Sequence, residues 1–441
     1  MAHIRPIREF LPVTVLAFVA VVGFSRLAQA VEVQKVVSPQ GIEAWLVEDH
    51  TVPIIAMNFS FEGGSAQDPN GKEGVTRLLA ATLDEGAGDL VSEDFQARLE
   101  ELAVSISFST GKDRFYGSLR TLTPTLNEAV DLLASAVNEP RFDDTPVERM
   151  KTQLTTQARR NQSSPDAIAG RSLANAMFGK HPYARPTIGT AETLEGLTPY
   201  DIRAQYEKLL AKNDLTIGVV GAISADQLKP ILDEVFAPLP QNGDLVAIAD
   251  LAPEFGSEIH QELAVPQTTI LLGLPGITRD DPDYQAAYVM NHILGGGTFT
   301  SWMYEEVREK RGLSYGASTS LSPYRHTGLL IGSASTKAER SEETVAVMLD
   351  QIHRMASKGP TEEELKSAKQ FITGSYPLRF DSSGKIARQL VALQNADLGI
   401  DYFERRNSEI DAVTLDDVQR VAKRLLAEKK PTIVTVGPKQ G

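Results

Sequence analysis

An internal repeat constrains this chain more than any other feature. Thr198-Pro-Tyr-Asp-Ile202, followed by Leu215-Thr-Ile-Gly-Val-Val-Gly221, lines up with Thr414-Leu-Asp-Asp-Val418, followed by Pro431-Thr-Ile-Val-Thr-Val-Gly437, at a constant offset of 216 residues. Between them, Leu209-Leu210 matches Leu425-Leu426. Each copy reads as a Thr-capped helix leading to a buried strand that ends in Gly. Upstream, Val52-Pro53 before one apolar strand matches Val265-Pro266 before another. Self-similarity over such a length specifies two homologous domains rather than a solenoid, whose units are about 20–50 residues. Pro, Gly, Asn and Asp cluster between Pro238 and Ser257, which sets the expected domains at 31–245 and 246–441. Both halves mix strands with long helices. The expected fold is therefore α+β, two homologous domains, each a mainly antiparallel sheet with helices packed on one face.

The first thirty residues stand apart. Arg5 and Arg8 precede an apolar run from Phe10 to Phe24, and Ala28-Gln29-Ala30 supplies small residues for cleavage. That is the pattern of a signal peptide over 1–30, so a periplasmic or secreted location is expected. The run contains Pro12 and falls short of the roughly 20 residues needed to span a bilayer, so no stable membrane insertion is expected once the signal is cleaved. The chain has no cysteine, which excludes disulfides and thiolate metal sites. Its net charge is −14, and the cationic leader puts the remainder near −16. Such an acidic surface argues against nucleic acid as a partner.

Tyr284 to Ser322 is the candidate working surface. Ala286, Val289, Met290, Ile293 and Leu294 make one apolar helical face. Gly295, Gly296 and Gly297 then stop the helix; glycine tolerates positive φ, so they permit a C-cap or a backbone that moves or approaches a ligand. With Thr298 or Thr300 as N-cap, Ser301 to Arg311 reads as a second helix. Ser314 to Ser322 reads as a strand that could pair with Leu329 to Ala334.

Leu294-Gly-Gly-Gly-Thr-Phe-Thr-Ser301 with Val307-Arg-Glu-Lys-Arg-Gly-Leu-Ser-Tyr315-Gly316 resembles the second-domain signature of the insulinase and pitrilysin family of inverted-motif zinc peptidases, which includes the mitochondrial processing peptidase. The resemblance implies that Arg308 and Tyr315, seven residues apart, contact the substrate backbone near the scissile bond. A guanidinium fork and a directional phenol suit a carbonyl oxygen that gains charge. It also implies that Gly295, Gly296 and Gly297 help admit substrate, and that the two domains form half of a peptide-enclosing chamber. His181-Pro-Tyr-Ala-Arg-Pro-Thr-Ile-Gly189 matches another landmark of the family, a loop after a long helix, where a structural role for His181 is expected.

The zinc motif is where the chain departs from the family. The resemblance places the inverted motif His-x-x-Glu-His on the helix that Gly74 opens. There, two His at i and i+4 would bind Zn²⁺ and the Glu would activate water. Those positions hold Arg77, Ala80 and Ala81. An alanine cannot ligate, and a guanidinium repels a cation. No glutamate occurs from Arg149 to Ala191, where the third ligand belongs; Gln153, Thr155, Thr156 and Gln157 occupy that helix. The six His after the leader, His50, His181, His260, His292, His326 and His353, show no metal spacing, and neither a Gly-x-Ser-x-Gly elbow nor a phosphate loop is present.

The resemblance therefore implies a non-catalytic subunit of a bacterial heterodimeric peptidase, with no catalytic residue of its own and no metal in this chain. A homologous partner with an intact His-x-x-Glu-His would carry the Zn, while this chain binds and positions the peptide substrate. The alternative is a structural or peptide-binding protein of the same fold without a peptidase partner.

Overall fold

The computed structural model describes residues 32–439, so the expected signal segment 1–30 lies outside the described residues. The first half supplies β1 (Gln34–Val37), β2 (Glu43–Glu48), β3 (Ile54–Glu62), a small hairpin of β4 (Gly86–Ala87) and β5 (Leu90–Val91), β6 (Ser105–Thr110), β7 (Arg114–Leu122) and β8 (Thr216–Gly221). Six of them form a sheet in the order β1-β2-β8-β3-β7-β6. The second half supplies β9 (Glu258–Glu262), β10 (Gln267–Pro275), β11 (Ser314–Pro323), β12 (Gly328–Lys337) and β13 (Thr432–Gly437), ordered β11-β12-β10-β13-β9.

From the β9 end, the second order repeats the first without β1. β2, β8, β3, β7 and β6 correspond to β9, β13, β10, β12 and β11. In both sheets one pair is parallel, β2 with β8 and β9 with β13, and the remaining pairs are antiparallel. β8 and β13 are the strands aligned by the 216-residue offset. The helices before them, Pro199–Leu209 and Leu415–Leu426, both begin at a capping box in which Thr198 or Thr414 accepts from the backbone N–H of Asp201 or Asp417.

Strand alternation sets the cores. Ile55, Met57, Phe59 and Phe61 of β3 point to one face, where they meet Leu78, Leu79, Leu133 and Phe236 from the first half's helices. The Phe59 ring lies edge-on to Phe61 at 5.8 Å and to Phe236 at 5.1 Å. In the second sheet, Ile270, Leu272 and Leu274 of β10 do the same against Val289, Met290, Met348 and Val421.

The opposite face of each sheet receives a helix from the other half. Helix Ser383–Asn395 lies on β3 and β8, where Asn395 Oδ1 accepts from Ser60 Oγ (3.1 Å) and Thr216 Oγ1 (2.8 Å). Helix Pro165–Phe178 lies on β10 and β13, with Leu173 and Met177 against Val434 and Val436. Glycines make both approaches possible: a Cβ on Gly218 would stand 2.6 Å from Ala387 O, and one on Gly273 would stand 2.3 Å from Met177 Sδ. This exchange ties the halves together and leaves a cavity of about 1210 Å³ between the sheets.

Candidate functional site

The helix Val75–Thr82 occupies the place of the zinc helix, and its start is built with care. Gly74 has φ +98°, and a Cβ there would meet Ile188 O at 2.5 Å. The buried Asp68 carboxylate accepts from Gly74 N (2.7 Å), Thr76 N (3.2 Å) and Thr76 Oγ1, which anchors the first turn. Burial pushes the Asp68 carboxyl up to about 6 and outweighs the hydrogen bonds that favour its charge. Burial likewise pushes the Lys112 ammonium down to about 8.

The scaffold is present, but the donors are not. Leu78 and Leu79 fill the core, while Arg77, Ala80 and Ala81 sit at i, i+3 and i+4. Helix Asp144–Asn161 brings Gln153, Thr155, Thr156 and Gln157, and Thr155 Oγ1 is buried without a partner. Glu85, just beyond the helix Val75–Thr82, is already engaged: it accepts from Ser92 Oγ at 2.5 Å and pairs with Arg149. Two methyl groups and a guanidinium offer a zinc ion no lone pair, so this donor set does not fit the metal. Among the described residues no three His, Asp or Glu side chains come together as a metal site.

The glycine segment differs from expectation. The α-helix Tyr284–Asn291 widens before the glycines; His292 to Gly296 continues as a π-turn that ends at Gly297, whose N–H donates to His292 O at 2.8 Å. None of the three glycines has positive φ, whereas Thr298 takes φ +45°. The glycines serve close approach instead. A Cβ on Gly295 would lie 2.4 Å from Thr319 N of β11. The expected helix Ser301–Arg311 is also a π-turn, Tyr304–Glu309, and its start is capped by Ser301, whose Oγ accepts from Tyr304 N at 3.4 Å, rather than by Thr298 or Thr300. Two successive π-turns are uncommon, and they concentrate at functional segments.

β11 pairs with β12 as the sequence implies, but a bulge interrupts the ladder between Ser314 and Ala317. Ser314 Oγ donates to Ser335 O (2.6 Å) and accepts from Gly316 N (3.1 Å), which holds the extra residue out of register. Tyr315 is thereby turned outward and is 86% exposed. Arg308, on the adjoining π-turn, stacks 4.9 Å from the Tyr304 ring, and its one acidic partner among the described residues is Glu309, at 3.8 Å. Its neighbours Lys310 and Arg311 are instead neutralised by Glu306. Neither Arg308 nor Tyr315 lines the cavity between the sheets.

His181 has a structural role. Its Nδ1 accepts from Tyr183 N at 3.2 Å, so its Nε2 carries the proton and donates to Ala249 O at 3.0 Å. Tyr183 is fully buried; its hydroxyl donates to Asp113 Oδ1 (2.5 Å) and accepts from His326 N (3.3 Å). Burial and Asp113 together hold this phenol far above its ordinary range. Residues that pattern reading missed line the cavity: Arg279, Tyr376, Arg379, Tyr402 and Arg406. They come from three segments, Arg279, the turn Tyr376–Arg379 and the helix Tyr402–Ala412, and no spacing in the chain joins the three.

The fold and the degenerate helix define a metallopeptidase scaffold without its metal centre. Residues 44–191 match the insulinase (peptidase family M16) profile, and residues 196–372 match the peptidase M16 inactive domain. A solved structure of a peptidase M16 inactive domain from Pseudomonas fluorescens is 31% identical, with a TM-score of 0.88 over 93% of this chain and 98% of that one. The chain belongs to the M16 peptidase family. A Helicobacter pylori protein described as a non-peptidase homolog is 27% identical over 75% of this chain and 77% of its own length. A Bacillus subtilis protein described as an uncharacterized zinc protease is 23% identical over 88% and 94%.

Proposed function

We propose that this chain is the zinc-free subunit of a secreted heterodimeric zinc peptidase, binding and positioning peptide for a homologous partner that carries the intact motif. The observation that supports this most is the presentation of Tyr315. A bulge fixed by Ser314 holds a large aromatic in solvent on the strand that follows the π-turn bearing the lightly paired Arg308, while the helix that would do the chemistry has no zinc donor at the motif positions. An exposed aromatic with a free phenol serves binding rather than folding. In the complex, Arg308 and Tyr315 would hold the substrate strand and polarise its carbonyl, and the Gly295–Gly297 turn would border its entry. The test is isolation of the native protein with whatever accompanies it, followed by peptide turnover. A stoichiometric partner bearing His-x-x-Glu-His is expected, and Arg308→Ala should depress turnover without disrupting assembly. Unchanged turnover removes the role given to Arg308.

A second reading, a structural or peptide-binding protein without a peptidase partner, is favoured by the description of the Helicobacter pylori relative as a non-peptidase homolog. A lone or self-paired chain without activity would select it.

A further inference from the structure

The cavity between the sheets contains a buried cation that no acid meets. Arg406, on helix Tyr402–Ala412, is only 5% exposed, and its guanidinium stacks 3.8 Å over the ring of Tyr376 and 6.0 Å from that of Tyr288. A guanidinium presents five N–H donors. Among the described residues this one has a single acceptor, Asn407 Oδ1, 2.9 Å from Nη1. The acids of the same helix do not serve it. Glu409 pairs with Arg405 and accepts from Gln285, while Glu404 and Asp411 are exposed.

The Tyr376 hydroxyl is in the same condition. Tyr376 is 7% exposed, and its Oη is buried with no hydrogen-bond partner. Its neighbour Tyr402 shows the contrast, since that hydroxyl accepts from Arg279 (2.7 Å) and Gln285 (3.0 Å). A buried hydroxyl left unmet is unfavourable, and a buried charge left unpaired is more so. Here the guanidinium lies against the ring that carries the unmet hydroxyl, and both residues line one cavity. Arg379, which donates to Tyr288 Oη at 3.1 Å, adds a second positive charge to the wall.

We propose that Arg406 and Tyr376 form a carboxylate-binding site in this cavity, which anchors a peptide by its C-terminal carboxylate or by an Asp or Glu side chain. A carboxylate is planar and accepts through two oxygens, so it can take the guanidinium fork edge-on along the aromatic wall and a third bond from the phenol. The inference deepens the peptide-binding reading and rests on it for the nature of the ligand.

The experiment measures binding of one labelled heptapeptide to the purified chain in three forms: free acid, C-terminal amide, and amide with one internal Glu. Succinate is measured separately. The free acid should bind about 10–100-fold tighter than the plain amide, as a charge-assisted pair requires. Tyr376→Phe should weaken the acid roughly tenfold, leave the amide unchanged, and not lower thermal stability, because the hydroxyl it removes has no partner in the free protein. Arg406→Gln should abolish the discrimination; if it fails to fold, Tyr376→Phe decides alone. Tight binding of the internal-Glu amide assigns the anchor to a side chain, and its failure assigns it to the C-terminus. Equal binding of acid and plain amide, or discrimination untouched by Tyr376→Phe, overturns the site while sparing the peptide reading. Tyr376-dependent binding of succinate without any peptide keeps the site and removes the peptide reading.

Discussion

Replacing Gly295 with alanine separates two accounts of the glycine segment. The new methyl would stand 2.4 Å from Thr319 N and 2.5 Å from Thr319 Oγ1. Neither atom can retreat freely, because Thr319 pairs with Gly332 in the β11–β12 ladder and its hydroxyl donates to Asn291 Oδ1 at 2.8 Å. Relieving an overlap of this kind costs about 1–3 kcal/mol. The stiffer unfolded chain returns about 0.4–1 kcal/mol, which leaves a net loss of about 1–2 kcal/mol. Gly297→Ala should lose less, since its methyl meets His292 O at 2.7 Å and the movable His292 ring at 3.0 Å. Gly296→Ala should also lose less than Gly295→Ala, because its closest obstacle is the end of a side chain, Asn291 Nδ2 at 2.6 Å, though the bond from Thr319 to that buried amide keeps the change from being neutral. If the segment were a mobile loop, all three alanines would stabilise by the unfolded-chain effect alone. Urea unfolding of the three variants, with hydrogen exchange at 295–298, measures the order. A Gly295→Ala protein at least as stable as wild type, with fast exchange there, would refute the packing argument.

Asp68 gives a pH prediction. Its carboxyl sits at about 6 in the fold against 3.8 as the reference, so the stability it contributes is full below about pH 3.8 and is lost as pH rises through 6. At 1.36 kcal/mol per unit the loss is about 3 kcal/mol, and Asp68→Asn should flatten that part of the stability profile; parallel curves would contradict it. Tyr183→Phe should cost about 1.5–3 kcal/mol in chemical denaturation, because it strips Asp113 of its phenol donor and leaves His326 N unmet. Metal analysis of the purified chain should find well under one zinc per chain, and a full equivalent would reverse the reading of Arg77, Ala80 and Ala81.

Much of the fold was legible because the signals were local. The capping Thr198 and Thr414 and the strands that follow their helices announced the duplication, and the two sheets share one strand order. The loss of the zinc donors needed no coordinates, since the identity of Ala80 and Ala81 decides it. The glycines were read less well. Their composition implied free φ, whereas the structure uses Gly295 for clearance against β11 and Gly296 and Gly297 for clearance against Asn291 and His292, and the positive φ falls on Thr298. A π-turn has almost the same residue pattern as an α-turn, so the widening after Asn291 left no trace in the spacing.

The sequence by itself determined the duplication and the lack of His or Glu at the motif positions of the first-half helix, because each depends on residue identity within a short window or on a fixed offset. Only the tertiary structure decided that each sheet takes a helix from the opposite half, that a bulge turns Tyr315 to solvent, and that Arg406 stacks on Tyr376 with neither satisfied. These arise from contacts between residues tens to hundreds of positions apart. Their partners are chosen by packing volume and by unmet hydrogen-bonding capacity, which no local periodicity encodes.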